Sequence, residues 1–381
     1  MYRKRVLERQ IENHLELFPV IGIMGPRQSG KTTTVINMLG KEYEYVNLDD
    51  ILIRNRFHSD PQKFLSRYNK KIIFDEVQYL PELFPLLKTS IDTDRSNYGR
   101  FVLTGSGQFL LGKHFSESLA GRIGLLSLLP LQFSELPNEA KSDTIFKGSY
   151  PELVLRNYAG NYEWYSSYFN TYIQKDLNIM INILDLELFT TFIRILAANV
   201  SQPLNLSAVS RDIGLSVTTL SRWISVLEQS YIIFLLRPYY KNLGKRLIKS
   251  PKIYFYDTGL LAWLTNITTR EQYENGILYG AMFENYVISE VLKRRYHSNL
   301  MQNLFYFRSS NGEEIDMVIE EGLQARYYEI KASFTYKPEF HRAMNKLEIS
   351  PSQFNVIYQG KTNAIFNEMK AWNYMEFLLP E

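Results

Sequence analysis

Cysteine does not occur in this 381-residue chain. That one absence excludes a disulfide framework, a zinc–thiolate site and a cysteine nucleophile. Histidine is scarce, with five residues at positions 14, 58, 114, 297 and 341, none of them paired at metal-ligand spacing. Long hydrophobic runs are missing as well. The longest apolar stretch, Ile123 to Phe133, is interrupted by Ser127, Pro130 and Gln132, far short of the roughly 20 residues of a membrane span. The segment MYRKRVLERQIENHLELF is charged and amphipathic and lacks the apolar centre of a signal peptide. A cytoplasmic location and no membrane partner are therefore expected. Neither sign of charge dominates: 43 Lys and Arg face 40 Asp and Glu, a net of +3. A polybasic coating protein is excluded, whereas a local basic face is not. There is no low-complexity tract and no repeat at solenoid periods.

What is present is an ordinary globular composition, 45% hydrophobic and 22% charged. At this length two or three domains are expected. No Pro/Gly-rich linker marks their limits, and the pattern suggests 1–155, 156–268 and 269–381. In the first of these, PVIGIM (19–24), YEYVNLD (43–49), KIIFDE (71–76), RFVLTGS (100–106) and GLLSLLPL (124–131) alternate with helical stretches. Strands that are apolar throughout, separated by helices, predict an α/β fold with a parallel sheet covered on both faces.

Gly25-Pro26-Arg27-Gln28-Ser29-Gly30-Lys31-Thr32 matches G-x-x-x-x-G-K-[ST], follows a strand and opens the helix TTTVINML, whose second residue is Thr33. The glycines permit a tight loop whose N–H groups point inward, and the helix N-terminus adds a favourable dipole. In such a loop Lys31 neutralises the β- and γ-phosphates of ATP and the Thr32 hydroxyl ligates Mg²⁺. Asp75 ends an apolar strand, where it can hold the Mg²⁺ shell, and Glu76 beside it can deprotonate an attacking water. Gln78 either contacts the γ-phosphate or caps the turn. Thr104 and Ser106 end the neighbouring strand as sensor candidates. Arg122, between a helix and a strand, is placed to face the γ-phosphate of a neighbouring subunit, which implies a homo-oligomer; the plain alternative is a surface salt bridge.

GPRQSGKTT, IIFDEVQ, LTGS, SLAGR before LLPLQFSEL, and the later GAMFENYVISEVLK, EIDMVIE and YYEIKAS occur in this order along nearly the whole chain. In this it resembles the prokaryotic AAA-type ATPases with a C-terminal DUF4143 domain. The resemblance implies a P-loop AAA-type parallel sheet, then a helical region with a winged-helix module, then a small α/β domain similar to the PD-(D/E)XK restriction-nuclease fold.

The middle segment, LSAVSRDIGLSVTTLSRWISVLEQS, reads as two helices joined at Gly214-Leu215-Ser216. Leu220, Ile224 and Leu227 form a buried stripe, leaving Thr218, Thr219, Ser221 and Arg222 outward. Such an exposed face enters the DNA major groove in helix-turn-helix proteins. A hairpin follows with Lys241, Lys245, Arg246 and Lys249 near its tip. Residues 201–250 carry seven Lys/Arg and two Asp/Glu, so the positive excess of the chain sits here. DNA is the partner this favours; a winged helix packed as a lid or adaptor is the alternative.

In the final region Asp316 opens one strand and Glu329-Ile330-Lys331 lies on the next, thirteen positions on, with a turn at Glu321-Gly322 between. Alternation puts Glu329 and Lys331 on one face. Two carboxylates beside a lysine suit a divalent-metal site that activates water, with Glu284 completing the shell from a helix. By resemblance Asp316, Glu329 and Lys331 are the nuclease signature, except that Ile315 rather than proline precedes Asp316. Two functions compete: an ATPase that acts on DNA through a metal-dependent nuclease, and an ATP-dependent switch that binds a protein or DNA partner without cleavage. A small-molecule kinase is disfavoured by the Asp75-Glu76 pair and the appended domains.

Overall fold

A computed structural model describes residues 2–68, 70–106, 118–173, 186–239, 250–309, 312–322, 324–366 and 369–379. His114 and the basic hairpin residues Lys241, Lys245, Arg246 and Lys249 lie outside the described residues. Among the described residues no helix is long and apolar enough to cross a membrane.

The N-terminal sheet is parallel, in the order β2-β3-β4-β1-β5. Its strands are β1 (Val20–Gly25), β2 (Glu44–Asn47), β3 (Ile72–Asp75), β4 (Phe101–Ser106) and β5 (Ile123–Ser127). Every residue of β1, β3 and β4 is buried, because helices cover both faces. On one face α1 (Glu8–Leu17) and α2 (Lys31–Leu39) bring Ile11, Val35 and Leu39 against Ile21, Ile23 and Ile73. On the other, α3 (Ile51–Ser59), α4 (Pro61–Ser66) and α5 (Leu83–Thr93) pack Phe57, Phe64, Phe84 and Leu87 on Phe74 and Leu103. The strand expected over 124–131 stops at Ser127. Beyond it the chain leaves the sheet as a strap over 128–135 that ends in a short 3₁₀ turn, Phe133–Glu135, and whose polar backbone groups find tertiary partners instead.

Next come α6 (Thr144–Lys147), α7 (Pro151–Leu155), α8 (Asn161–Tyr168) and α9 (Leu186–Ala198), then α10 (Leu206–Ile213) and α11 (Val217–Gln229). Gly214 ends α10 at φ 77, the left-handed conformation that glycine adopts without strain, and its N–H donates to Ser210 O. The Ser216 hydroxyl caps α11 by accepting from the Thr219 N–H at 3.1 Å. Leu220, Ile224 and Leu227 are buried, while Thr218, Ser221 and Arg222 are exposed.

The second sheet has eight strands in the order β12-β13-β11-β10-β9-β8-β6-β7. They are β6 (Ile233–Pro238), β7 (Lys252–Phe255), β8 (Leu304–Arg308), β9 (Glu314–Glu321), β10 (Gln324–Lys331), β11 (Phe354–Tyr358), β12 (Asn363–Phe366) and β13 (Met369–Asn373). The antiparallel pair β6–β7, read from sequence as a separate wing, is one end of this sheet, because β6 runs parallel to β8 at Arg237↔Phe305 and Pro238↔Tyr306. One sheet therefore crosses the limit expected at 268. The reason is that β8 would otherwise expose a row of unpaired backbone groups. The helices α12 (Thr258–Leu264), α13 (Arg270–Asn275), α14 (Tyr279–His297), α15 (Arg342–Lys346) and α16 (Tyr374–Leu378) complete the chain. A single apolar cluster runs from Leu129 through the middle helices and α14 to Met317 and Ile330.

Candidate nucleotide site and a second carboxylate site

The phosphate loop leaves β1 at Gly25, where an added Cβ would meet the Leu128 carbonyl oxygen at 2.1 Å. Only glycine fits there. Gly30, at φ 95, delivers the chain into α2. Lys31 is buried and its ammonium donates to Gly25 O at 3.0 Å and Pro26 O at 2.8 Å. Burial lowers its pKa to about 8, with Glu76 and Asp75 opposing that shift and Arg27 adding to it. The Thr32 hydroxyl donates to Asp75 Oδ2 at 2.8 Å. Asp75 also accepts from Tyr45 Oη at 2.7 Å and from the Thr104 hydroxyl. Hard oxygens from Thr32 and Asp75, already side by side, fit a Mg²⁺ ion that keeps most of its waters.

Glu76 stands just past β3 at φ 57 and accepts from Gln78 Nε2, which also donates to Ser106 Oγ at 3.1 Å. Gln78 thus bridges Glu76 and Ser106. A pocket of about 520 Å³ is lined by Gln28, Gly30, Lys31, Thr32, Thr33 and Glu76 from the expected set. Gly25, Pro26, Ser29, Asp75 and Ser106 do not line it, but Gly25 and Pro26 bind Lys31, Asp75 binds Thr32, and Ser106 binds Gln78. Arg27 turns away, donating to Tyr79 Oη at 3.0 Å and lying 5.5 Å from the Tyr172 ring centroid. Sequence reasoning missed Tyr2, Arg3, Arg5 and Arg156, which also line the pocket, and Tyr45. The only sequence signal for three of them is the cation-rich start YRKR.

In the C-terminal sheet β9 and β10 are antiparallel with Tyr328 opposite Met317, so Asp316 and Glu329 are neighbours. Asp316 Oδ2 accepts from the Ile330 N–H at 2.8 Å. Lys331 Nζ lies 2.5 Å from Glu329 Oε1 and 3.7 Å from Asp316 Oδ2. Burial, then the charge of Asp316, pushes the Glu329 carboxyl up to about 8. Its Oε2 is buried without a hydrogen-bond partner. Glu284 lies close enough for the charge of Asp316 to raise its pKa and for its own charge to raise that of Glu329, but its carboxylate is engaged elsewhere. Its Oε1 takes Lys252 Nζ at 3.1 Å and Tyr254 Oη at 2.6 Å, and burial raises its pKa to about 7. Among the described residues no three His, Asp or Glu side chains converge to hold a metal. Of the three expected carboxylates, Asp316 and Glu329 are adjacent across β9 and β10, while Glu284 is held by Lys252 and Tyr254. The physical reason is Lys252, a buried cation on β7 that draws Glu284 and Glu314 to itself. The orphaned Glu329 Oε2 beside Asp316 fits one divalent cation with water completing its shell.

Residues 17–137 match the family described as AAA domain. An AAA domain thus spans residues 17–137. Residues 138–271 match a domain of unknown function (DUF8612), and residues 279–377 match another (DUF4143). An uncharacterized protein of Mycobacterium tuberculosis is 28% identical over 366 residues, covering 95% of this chain and 81% of that protein. One from Haemophilus influenzae is 23% identical over 378 residues, covering 89% and 88%. Among solved structures, the Walker-type ATPase PABY2304 of Pyrococcus abyssi superposes with a TM-score of 0.48 at 17% identity, over 68% of this chain and 94% of that one.

Within the AAA domain Arg122 precedes β5, beside Val20 at the start of β1. The phosphate loop is at the other end of that strand. Arg122 donates from Nε and Nη2 to the two Asp92 carboxylate oxygens at 2.8 and 3.0 Å. It does not reach the nucleotide pocket of its own chain.

Proposed function

We propose that this protein binds ATP with Mg²⁺, hydrolyses it, and uses the cycle to act on DNA. The observation that carries the reading is the convergence of Lys31, Thr32, Asp75 and Glu76 at one end of the parallel sheet. Lys31 exchanges two loop carbonyls for the β- and γ-phosphates. Thr32 and Asp75 would hold Mg²⁺, which would neutralise the phosphate oxygens. Glu76 takes a proton from the attacking water, and Gln78 with Ser106 holds its carboxylate in place. Thr104 and Tyr45 fix Asp75. Arg122 is proposed to serve a neighbouring subunit once its pair with Asp92 opens, which implies a homo-oligomer.

The DNA reading is supported by the exposed residues Thr218, Ser221 and Arg222 of α11 and by the basic excess of residues 201–250. Asp316, Glu329 and Lys331 are proposed to cleave a phosphodiester. A divalent cation would there make a water nucleophilic near neutral pH, while Lys331 stabilises charge growing on the phosphate. The pairing of Glu284 with Lys252 favours a second reading, an ATP-dependent switch that binds its partner without cutting. One experiment separates the two. Purified protein is incubated with plasmid and linear DNA, with and without ATP, Mg²⁺ and Mn²⁺. Metal-dependent cleavage supports the nuclease; ATP hydrolysis with intact DNA throughout supports the switch. Failure to hydrolyse ATP in every condition refutes the reading at its base.

A further inference from the structure

We propose that Arg5 is a positioning residue of the nucleotide site, holding the Ser29–Gly30 end of the phosphate loop against a strap that α14 clamps from the far side. The proposal rests on the nucleotide-binding reading above and adds to it a residue outside the loop motif.

Arg5 is buried, 3% exposed, and both of its terminal guanidinium nitrogens donate hydrogen bonds. Nη1 donates to Ser29 O at 2.8 Å. Nη2 donates to Leu129 O at 2.7 Å and Pro130 O at 3.3 Å. Nε lies 3.1 Å from Glu135 Oε2. One planar cation thus joins the loop to the strap at three carbonyls and a carboxylate, a fork that lysine cannot reproduce. The Ser29 carbonyl belongs to the peptide whose N–H is that of Gly30. In a trans peptide the two point opposite ways, so gripping one fixes the direction of the other. Gly30 lines the pocket, and inward N–H groups are what such a loop offers a phosphate.

The strap is held from the other side by polar residues of α14. Leu129 N–H donates to His297 Nε2 at 3.0 Å, and His297 Nδ1–H donates to Gln132 Oε1 at 2.9 Å. Phe133 N–H donates to Glu290 Oε2 at 2.7 Å. Lys293 pairs with Glu290 and reaches Ser149 Oγ at 2.8 Å. Glu135 is fixed in turn by the N–H groups of Val6 and Gln132 at 2.6 and 2.9 Å. Because α14 holds the strap, the Arg5 grip on the loop depends on the docking of a helix from outside the AAA domain.

The test compares Arg5→Lys and Glu135→Gln with the wild type, using Arg9→Gln as a control. Arg9 is exposed on α1. Binding of a fluorescent ADP analogue with Mg²⁺, KM and kcat for ATP, and melting with and without ADP are measured. Arg5→Lys is expected to raise the ADP Kd and the ATP KM about tenfold, the loss of one charge-assisted hydrogen bond, with kcat changed less. Glu135→Gln, which leaves the guanidinium but not its anchor, is expected to move both in the same direction, and Arg9→Gln to move neither. Wild-type Kd and KM in both variants overturn the proposal. So does a lowered melting temperature without ADP that leaves Kd and KM unchanged, since that marks a merely structural staple. If Arg5→Lys does not fold, Glu135→Gln decides alone. A wild type that binds no nucleotide refutes the underlying reading instead.

Discussion

Nucleotide binding to the AAA domain is expected to take up protons near pH 8. Lys31 is fully enclosed, its ammonium meeting two loop carbonyls, and burial brings its pKa from 10.5 to about 8. A phosphate beside the ammonium favours the charged form and raises the pKa again. With Lys31 near half-protonation in the free protein at pH 8, binding there draws in about half a proton per site. Affinity should fall about tenfold for each pH unit above 8 until the pKa of the bound state is passed. Below pH 7 the linkage vanishes, because Lys31 is charged in both states. The sign for stability follows from the same shift. A lysine whose folded pKa lies below its unfolded value costs the empty protein about 3 kcal/mol below pH 8, and that cost fades as pH rises from 8 towards 10.5. ADP with Mg²⁺ relieves it. Calorimetric titration at pH 8 in buffers of different ionisation enthalpy measures the uptake as the slope of heat against that enthalpy. A zero slope, together with a Kd that stays flat from pH 7 to pH 9, refutes the reasoning.

Glu76→Gln is expected to bind ATP normally while turnover drops about 10²- to 10⁴-fold, because an amide cannot accept the proton of water; wild-type steady-state hydrolysis would remove Glu76 from that role. Asp316→Ala should abolish Mg²⁺- or Mn²⁺-dependent DNA cleavage and leave ATP hydrolysis intact, and cleavage that persists in this variant places the activity elsewhere. Neutralising Lys245, Arg246 and Lys249 together should weaken DNA binding whatever the sequence and lower the salt slope by about three, as read by anisotropy titrations across salt. Tyr165→Phe removes the donor to Asp257 Oδ1 at 2.6 Å and should cost about 1.5–3 kcal/mol in denaturant unfolding.

The nucleotide loop was legible because its chemistry is local: glycines at fixed offsets, a strand before and a helix after. Asp75 and Glu76 were legible because a carboxylate at the end of an apolar strand has few structural uses. The five parallel strands followed from uninterrupted apolar runs. Arg5, Glu135 and His297 were not legible, since each acts through partners 24 to 168 positions away and none carries a periodic signal. α14 was legible only as a helix carrying Glu284, yet Glu290, Lys293 and His297 are buried in it, satisfied by strap and side-chain groups that no helical pattern announces. The ion pair of Glu284 with Lys252 was not legible for a related reason. The sequence put Glu284 near Asp316 and Glu329, and nothing in it told of Lys252, which reaches the same interior only because β7 joins that sheet.

That sharing of a sheet decides where this chain can be divided. The matched families break between 271 and 279, and a fragment ending there would look natural on a sequence diagram. It would keep Lys252 while discarding Glu284 and Glu314, the two acids within 3.1 and 2.5 Å of its ammonium. An almost fully enclosed cation would then have no counter-charge, at a cost of several kcal/mol. The complementary fragment, beginning with α14, would leave β8 stripped of its β6 neighbour, a bare edge that invites self-association. The C-terminal half is therefore expected to be inherited, exchanged between proteins and expressed as one indivisible piece, although two families describe it.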